Sequence, residues 1–166
     1  MKIELRPWQI DDLDSLIENG NNFEVARFMT DVFPHPYTEE AARRFIDLAT
    51  TEKPERLKAI AVDGMAVGGI GIHPKTDVLK KNAELGYWLG QAYWGKGIAS
   101  QVVPQMVKFA FETYDITRLY ACVYGNNKAS QRVLEKCGFK LEAHFDKTIF
   151  KNGEFLDELI YAVRKV

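Results

Sequence analysis

The chain has 166 residues and a formal charge of −1 at neutral pH, because its 22 Lys and Arg nearly balance its 23 Asp and Glu. This length favours a single compact domain over residues 1–166, of α/β or α+β class, and the charge balance gives no indication of direct nucleic-acid binding or of an acidic membrane surface. No apolar stretch reaches a transmembrane length, and the strand-like N-terminus lacks the apolar core of a signal peptide, so we expect a cytoplasmic protein.

Helix caps, prolines and apolar spacing define the elements in the first half of the chain. In order, the predicted elements are a strand over 2–6, a helix starting near 13, a helical piece over 24–29, a helix capped by Thr38, and strands over 57–62 and 65–72. We expect Asp11 or Asp12 to cap the first helix, since either side chain can accept a hydrogen bond there. Asp63-Gly64 and, later in the chain, Asn152-Gly153 each predict a hairpin turn. Three glycines in the second arm of the first hairpin indicate a bulge or a close approach by another backbone or ligand.

Two prolines make residues 31–37 a loop. Its side chains Phe33, His35 and Tyr37 are candidates for an acceptor pocket. A packed connector whose aromatic rings fill the core explains the same residues. His35 is also a secondary candidate for a general base.

The second half predicts a strand, a glycine turn, a long helix and a second strand, followed by a short helix and a hairpin. In order, these are a strand over 83–89, a helix from 99, a strand over 118–124, a helix over 128–136 and strands over 140–150 and 155–163. The long crossover makes the strand over 118–124 parallel to the one over 83–89. Pro104 is tolerable only near the first turns of its helix, and Gly138 supplies a left-handed stop to the short helix.

The glycine turn between strand and helix has the composition of a phosphate cradle. Its residues are Trp94, Gly95, Lys96, Gly97, Ile98, Ala99 and Ser100. Glycines let successive backbone N–H groups close on an anion, and the start of a helix adds its positive dipole end. The turn matches neither a P-loop nor a dinucleotide fingerprint, and a plain strand-to-helix turn that needs glycine torsions fits it as well.

Two cysteines, Cys122 and Cys137, have no paired spacing and no histidine partner that would indicate a metal site. We therefore expect no metal, and we expect both thiols to be reduced, buried and inert.

Four motifs, in order and with family spacing, resemble the GNAT N-acetyltransferases, and within them the RimJ/RimL-like branch that acetylates the N-termini of ribosomal proteins. The motifs are Ala83-Glu84-Leu85-Gly86-Tyr87-Trp88-Leu89, Tyr93-Trp94-Gly95-Lys96-Gly97-Ile98-Ala99, Asn127-Lys128-Ala129-Ser130 and Leu134-Glu135-Lys136-Cys137-Gly138-Phe139. Trp94 stands where the general family pattern has Gln or Arg, a replacement typical of this branch. The resemblance implies a GNAT fold, with a mixed, mostly antiparallel central sheet, a splayed parallel strand pair and flanking helices.

The same resemblance implies acetyl-CoA as the cosubstrate. Its pyrophosphate would bind the N–H groups of Trp94 to Ala99, next to Ser100. The pantetheine arm would pair with the backbone of Tyr87, Trp88 and Leu89 like an added strand. Asn127 resembles the asparagine that binds this arm, and it also suits the cap of the helix that follows it.

The implied reaction is direct attack of an amine on the thioester, without a covalent enzyme intermediate. The backbone N–H of Leu89 or Trp88 would polarise the carbonyl, and Ser130 would protonate the leaving thiolate, unless it is an ordinary first-turn residue. Glu84, the one acid in an apolar strand, is the candidate base, with a structural carboxylate as the alternative. RimL has a candidate catalytic glutamate where this chain has Ile149, so that assignment does not transfer.

The sequence leaves the acceptor open. The favoured acceptor is the N-terminal α-amino group of a protein or peptide. Small amines (polyamines, amino acids or aminoglycosides) and a non-catalytic acyl-CoA-binding module are the alternatives. The expected pocket segments, 33–37 and 145–155, contain only Asp146 and Glu154 as acids. This small number of acids favours a neutral or peptide acceptor. Aromatic residues in the C-terminal hairpin would also suit a homodimer contact. We expect His73 and His144 to lie at the surface or in satisfied strand positions.

Overall fold

The computed structural model describes residues 1–166, which form two compact units. Unit 1 comprises Met1–Gly71 and Tyr87–Ile98, and unit 2 comprises Ile72–Gly86 and Ala99–Val166. The strands are β1 (Ile3–Pro7), β2 (Leu57–Val62), β3 (Met65–Pro74), β4 (Asn82–Leu89), β5 (Arg118–Tyr124), β6 (Lys140–Lys151) and β7 (Glu154–Arg164). The helices are α1 (Leu13–Gly20), α2 (Phe23–Ala26), α3 (Glu39–Thr51), α4 (Ile98–Thr113) and α5 (Lys128–Lys136). No helix combines the length and the apolar character needed to cross a membrane.

The strands form one mixed sheet in the order β1-β2-β3-β4-β5-β7-β6. Its parallel pair is β4 and β5, and their ladder has three residue pairs, Asn82–Arg118, Ala83–Leu119 and Glu84–Tyr120. Both strands continue past the last pair, β4 to Leu89 and β5 to Tyr124. The predicted mostly antiparallel sheet with one splayed parallel pair is therefore confirmed.

Unit 1 is built on a core in which Trp8, Leu16 and Ile46 are nearly completely buried. The predicted cap of the first helix is wrong. Asp12 immediately precedes the helix, but its carboxylate accepts no hydrogen bond from the helix N–H groups. It accepts from the Arg6 guanidinium at 2.7 and 2.8 Å and from the Gln9 backbone N–H at 2.9 Å, within the 3-10 turn Ile10–Asp12. A bidentate pair with a nearby arginine is stronger than a cap to a neutral N–H, so the tertiary contact takes this side chain.

Unit 2 has a sheet with two different faces. Along β5 the residues Leu119, Ala121 and Val123 are buried, whereas Tyr120 and Cys122 between them are half-exposed. The buried face is the one covered by α5, because the hydroxyl of Tyr161, whose register partner is Ala121, donates to Glu135 on that helix at 2.9 Å. The half-exposed face lies on the other side of the sheet from α5.

Pro104 lies in the second turn of α4, near the start of the helix as the sequence analysis expects. Proline has no N–H to offer the carbonyl four residues earlier. That carbonyl, of Ser100, accepts instead from the Cys137 thiol, with 3.8 Å between sulfur and oxygen. Cys137 and Cys122 are both free but only half-buried, so the expectation that they are buried is wrong.

The local turn predictions are confirmed by backbone torsions. Asp63-Gly64 and Asn152-Gly153 have positive φ at both residues, as a primed hairpin turn requires. Gly138 ends α5 with φ of +90°, and the Thr38 side chain accepts from Ala41 N–H at the start of α3.

Both features predicted from the glycines of β3, a bulge and a close approach by another backbone, are present. The register of β2 and β3 shifts between Ile60 and Ala61, which gives a bulge. A Cβ atom on Gly68 would lie 2.2 Å from the Trp88 carbonyl oxygen, so β3 and the end of β4 approach too closely for any side chain.

We expect Gly68→Ala to destabilise the protein by ~1–3 kcal/mol, because the backbone carbonyl that it meets cannot turn aside as a side chain would. Gly86→Ala in β4 is the matched control, since its Cβ would meet only His73 Nε2, at an ordinary 3.8 Å. The control should be neutral or slightly stabilising, through its effect on the unfolded chain. Urea unfolding measures both, and equal midpoints for the two variants would contradict the close approach.

Candidate functional site

The glycine turn of unit 1 is open to solvent. Gly95 and Gly97 have φ of +71° and +74°, and a Cβ built on either would meet no atom within 4 Å. Residues 94–97 are exposed, and α4 begins at Ile98 directly after them. Backbone N–H groups at the start of a helix have no carbonyl within the helix to bind. The turn therefore offers main-chain donors and a helix N-terminus to an anion, as the sequence predicts for a phosphate cradle.

Trp94 has a structural role that the sequence analysis does not predict. Its indole Nε1 donates to the Leu89 carbonyl at 2.9 Å, which ties the turn to the end of β4. Lys96 lies over the Tyr93 ring, with 5.4 Å between Nζ and the ring centroid. The Leu89 carbonyl already has a donor, so a ligand that adds to this strand would use other backbone groups of 87–89.

Two of the three candidate acceptor residues in the proline loop, Phe33 and Tyr37, pack together, whereas His35 contacts a different ring. Phe33 packs edge-on against Tyr37 and Trp88, with centroid distances of 5.2 and 5.4 Å. Tyr37 is 4% exposed, and burial raises the pKa of its hydroxyl to about 12. His35 is exposed and contacts the Phe23 ring at 5.9 Å. Tyr37 thus fills the core as a packed connector does, while Phe33 joins the loop to the end of β4.

In unit 2, Asn127 and Ser130 lie together at the start of α5. The Asn127 side-chain oxygen accepts from the Ser130 backbone N–H at 3.2 Å, so the predicted cap is confirmed. The Asn127 N–H in turn donates to the Tyr124 carbonyl at 2.9 Å. Both candidate side chains are half-buried, and they follow the C-terminal end of β5 directly.

Glu84 is held by a cation rather than by backbone. Its carboxylate lies 3.3 Å from Lys75 Nζ, at the last pair of the β4–β5 ladder. Burial lowers the pKa of Lys75, but the hydrogen bond to Tyr120 and the charge of Glu84 outweigh it, so the net shift is upward. Burial and the same carboxylate raise the pKa of Tyr120. Arg118 lies 4.6 Å from the centre of the Tyr120 ring, which completes the cluster.

Sequence reasoning missed a second carboxylate on the half-exposed face. Glu158 on β7 accepts from the Cys122 thiol at 3.3 Å and from the Thr148 hydroxyl at 3.2 Å, one donor to each oxygen. Burial first, and then the carboxylates of Glu158 and Glu84, raise the pKa of the Cys122 thiol to about 12. The sequence does contain an indication of Glu158, because it is an acid among alternate residues of β7 that are otherwise apolar. The other members of that series are Leu156, Ile160 and Ala162.

The histidines in β3 and β6 lie outside these clusters. His144 is exposed, and its Nε2 lies 2.8 Å from the Asp157 carboxylate, whose pKa it lowers. His73 is exposed at the end of β3. Ile149 is half-buried in β6, opposite Leu156.

Comparison with known proteins gives a consistent family. The family model described as "Acetyltransferase (GNAT) domain" matches residues 2–140. "Probable N-acetyltransferase YjcK" of Bacillus subtilis is 30% identical, over 97% of this chain and 93% of that protein. "Putative ribosomal N-acetyltransferase YdaF" of the same organism is 29% identical, over 74% of this chain and 64% of that protein. "Spermidine N(1)-acetyltransferase" of Escherichia coli is 26% identical, over 92% of this chain and 81% of that protein.

Solved structures show the same fold. A GNAT-family acetyltransferase from Bacillus anthracis matches with a TM-score of 0.83 at 24% identity, over 99% of this chain and 95% of that one. RimL, a ribosomal L7/L12 α-N-protein acetyltransferase solved with coenzyme A, matches with a TM-score of 0.83 at 20% identity, over 99% of this chain and 94% of that one.

The raised pKa of Cys122 predicts slow alkylation. At pH 8, a thiol with a pKa of about 12 has roughly three orders of magnitude less thiolate than one at the ordinary value of 9.0, and only the thiolate reacts. We expect iodoacetamide to modify Cys137 before Cys122 in the folded protein and both at similar rates in urea. Peptide mass spectrometry over time measures this, and Cys122 reacting first in the folded state would contradict its environment.

Proposed function

The chain belongs to the GNAT acetyltransferase family, and on that premise we propose that it acetylates the N-terminal α-amino group of a protein or peptide. The family establishes the type of reaction: the chain is an N-acetyltransferase that uses acetyl-CoA. The identity of the acceptor, the roles of individual residues and the mechanism are proposed.

The observation that carries the proposal is the exposed glycine turn at the start of α4. We assign the pyrophosphate of acetyl-CoA to the N–H groups of residues 95–99. The Trp94 N–H, which the sequence analysis includes in this set, donates to the Gln91 carbonyl at 3.2 Å. Two positive-φ glycines keep this turn free of side chains, and an anion there receives charge-assisted hydrogen bonds from backbone alone. The pantetheine arm is assigned to the backbone of residues 87–89, and Asn127 to a contact with that arm.

The chemistry assigned to the chain's own residues has three parts. The amine nitrogen attacks the thioester carbon and the carbon–sulfur bond breaks. The proton lost from the amine goes to Glu84, directly or through water, and Ser130 donates a proton to the departing sulfur. The N–H of Leu89 or Trp88 stabilises the oxyanion between these steps. Glu84 is itself half-exposed on the half-exposed face of unit 2, and this position supports its role as the base.

Three related proteins support two different acceptors. YdaF and RimL are named for ribosomal substrates, which supports a protein N-terminus. The spermidine acetyltransferase supports a polyamine as the second candidate. The acids of unit 2 bear on this choice, because a polyamine presents several cations and needs several unpaired carboxylates.

We expect acetyl-CoA to raise the melting temperature, while NAD and ATP at the same concentration do not, because only a ligand that binds the folded state shifts unfolding. The acceptor is then identified by incubating the enzyme with acetyl-CoA, N-terminal peptides of ribosomal proteins, and spermidine, and by following mass gains of one acetyl group. Equal shifts with all three nucleotides would contradict the assigned cofactor. Acetylation of spermidine but of no peptide would replace the proposed acceptor by the second candidate.

Ser130→Ala should lower kcat at least tenfold with little change in the KM for acetyl-CoA, because a general acid acts on the transition state and contributes little to ground-state binding. The cap should survive, since the Asn127 side chain bonds the backbone N–H of residue 130. Steady-state kinetics at saturating acceptor measures this. An unchanged kcat would remove Ser130 as the acid, and a raised KM for acetyl-CoA alone would make it a binding residue.

A further inference from the structure

We propose that Glu158 binds the ammonium group of the acceptor and thereby selects a cationic primary amine. The inference deepens the proposed function and rests on it. It concerns which residue of this chain recognises the amine before its proton is removed.

The charge balance of unit 2 singles out Glu158. Three acids in that unit are half-buried, namely Glu84, Asp157 and Glu158. Glu84 has Lys75 as its partner, and Asp157 has His144. Glu158 has no Lys, Arg or His partner, and both of its contacts come from neutral groups. A half-buried carboxylate without a counter-ion attracts a cation from outside the protein.

Its two neutral donors fix the carboxylate without neutralising it. The Cys122 thiol holds one oxygen and the Thr148 hydroxyl holds the other. Cys122 remains a neutral donor at physiological pH because its pKa lies near 12. Each carboxylate oxygen accepts more than one hydrogen bond, so lone pairs remain for an ammonium group. The arrangement is a preorganised acceptor for a cation rather than a satisfied structural group.

Glu158 also lies on the face that holds the proposed base. Tyr120 and Cys122 are two residues apart in β5 and point to the same side of the sheet. Tyr120 contacts the Glu84–Lys75 pair, and Cys122 contacts Glu158, while the charge of Glu84 also reaches the Cys122 thiol. Cys122 thus lies between the two carboxylates.

The position of Glu158 along the strand is consistent with this role. Its register partner is Tyr124, the last residue of β5, beyond the point where the β4–β5 ladder ends. Asn127 and Ser130 follow this strand end after a short turn. An ammonium held at Glu158 would therefore be bound at the C-terminal end of β5, on the face that also holds Glu84.

The experiment compares Glu158→Gln with a matched control, Glu135→Gln. Glu135 also accepts a hydrogen bond from a neutral hydroxyl, but it lies on the opposite face, on α5. The acceptors are a hexapeptide with a free α-amino group and spermidine, each titrated at pH 7 against saturating acetyl-CoA. We expect Glu158→Gln to raise the KM for the amine at least tenfold, with kcat and the KM for acetyl-CoA within threefold of wild type. Glu135→Gln should leave all three constants within twofold.

A second set of variants tests the carboxylate through its donors. Cys122→Ser keeps a donor and should retain most of the wild-type KM for the amine, whereas Cys122→Ala combined with Thr148→Val should raise it several-fold. These variants decide the question if Glu158→Gln fails to fold. Glu84→Gln should instead lower kcat, with a smaller change in the amine KM.

The outcomes separate this inference from the proposed function. An unchanged amine KM in Glu158→Gln overturns the inference, and so does a loss of kcat at unchanged KM, which would make Glu158 the proton acceptor. If the wild-type enzyme binds acetyl-CoA but acetylates neither probe nor any peptide in the panel, the proposed function fails, and the inference fails with it.

Discussion

The short parallel ladder between β4 and β5 is the constraint on which the rest of the structure depends. Three residue pairs hold the two strands, and a charged cluster of Lys75, Glu84, Tyr120 and Arg118 lies at that point. Beyond those pairs β4 runs to Leu89 and β5 to Tyr124, and the proposed function assigns the pantetheine arm to backbone groups near the end of β4. In a fully paired sheet, these groups would be consumed by the ladder.

Two kinds of recognition are divided between main chain and side chain. The glycine turn offers N–H groups and a helix N-terminus, so the phosphate binding proposed there would depend little on side chains. Trp94 illustrates this division, because its indole donates a hydrogen bond to the Leu89 carbonyl while its backbone remains part of the turn. Trp at this position therefore adds a structural tie, while its own N–H donates to the Gln91 carbonyl, so the main-chain donors of the turn begin at Gly95.

The half-exposed face of unit 2 depends on side chains instead. Its acids differ in their partners, and this difference gives them different chemical characters. Glu84 is paired with a lysine, whereas both groups that donate to Glu158 are neutral. The expectation of a neutral or peptide acceptor rests on the acids in residues 33–37 and 145–155. These segments do not contain Glu158, which lies three residues past the second one. One unpaired carboxylate suits a single ammonium better than a polyamine, so it supports the peptide acceptor.

The sequence by itself determined the features that depend on local geometry. The primed turns at Asp63-Gly64 and Asn152-Gly153, the stop at Gly138, the caps at Thr38 and Asn127 and the open glycine turn all follow from residues close together in the chain. Only the tertiary structure decided that Asp12 pairs with Arg6, that the Trp94 indole binds Leu89, and that Cys122 meets Glu158, 36 residues away. The Cys122–Glu158 contact depends on strand register and on which face each side chain occupies, and a shift of one residue would reverse the face. Composition and spacing do not specify the register or the face, which are set when the strands pair.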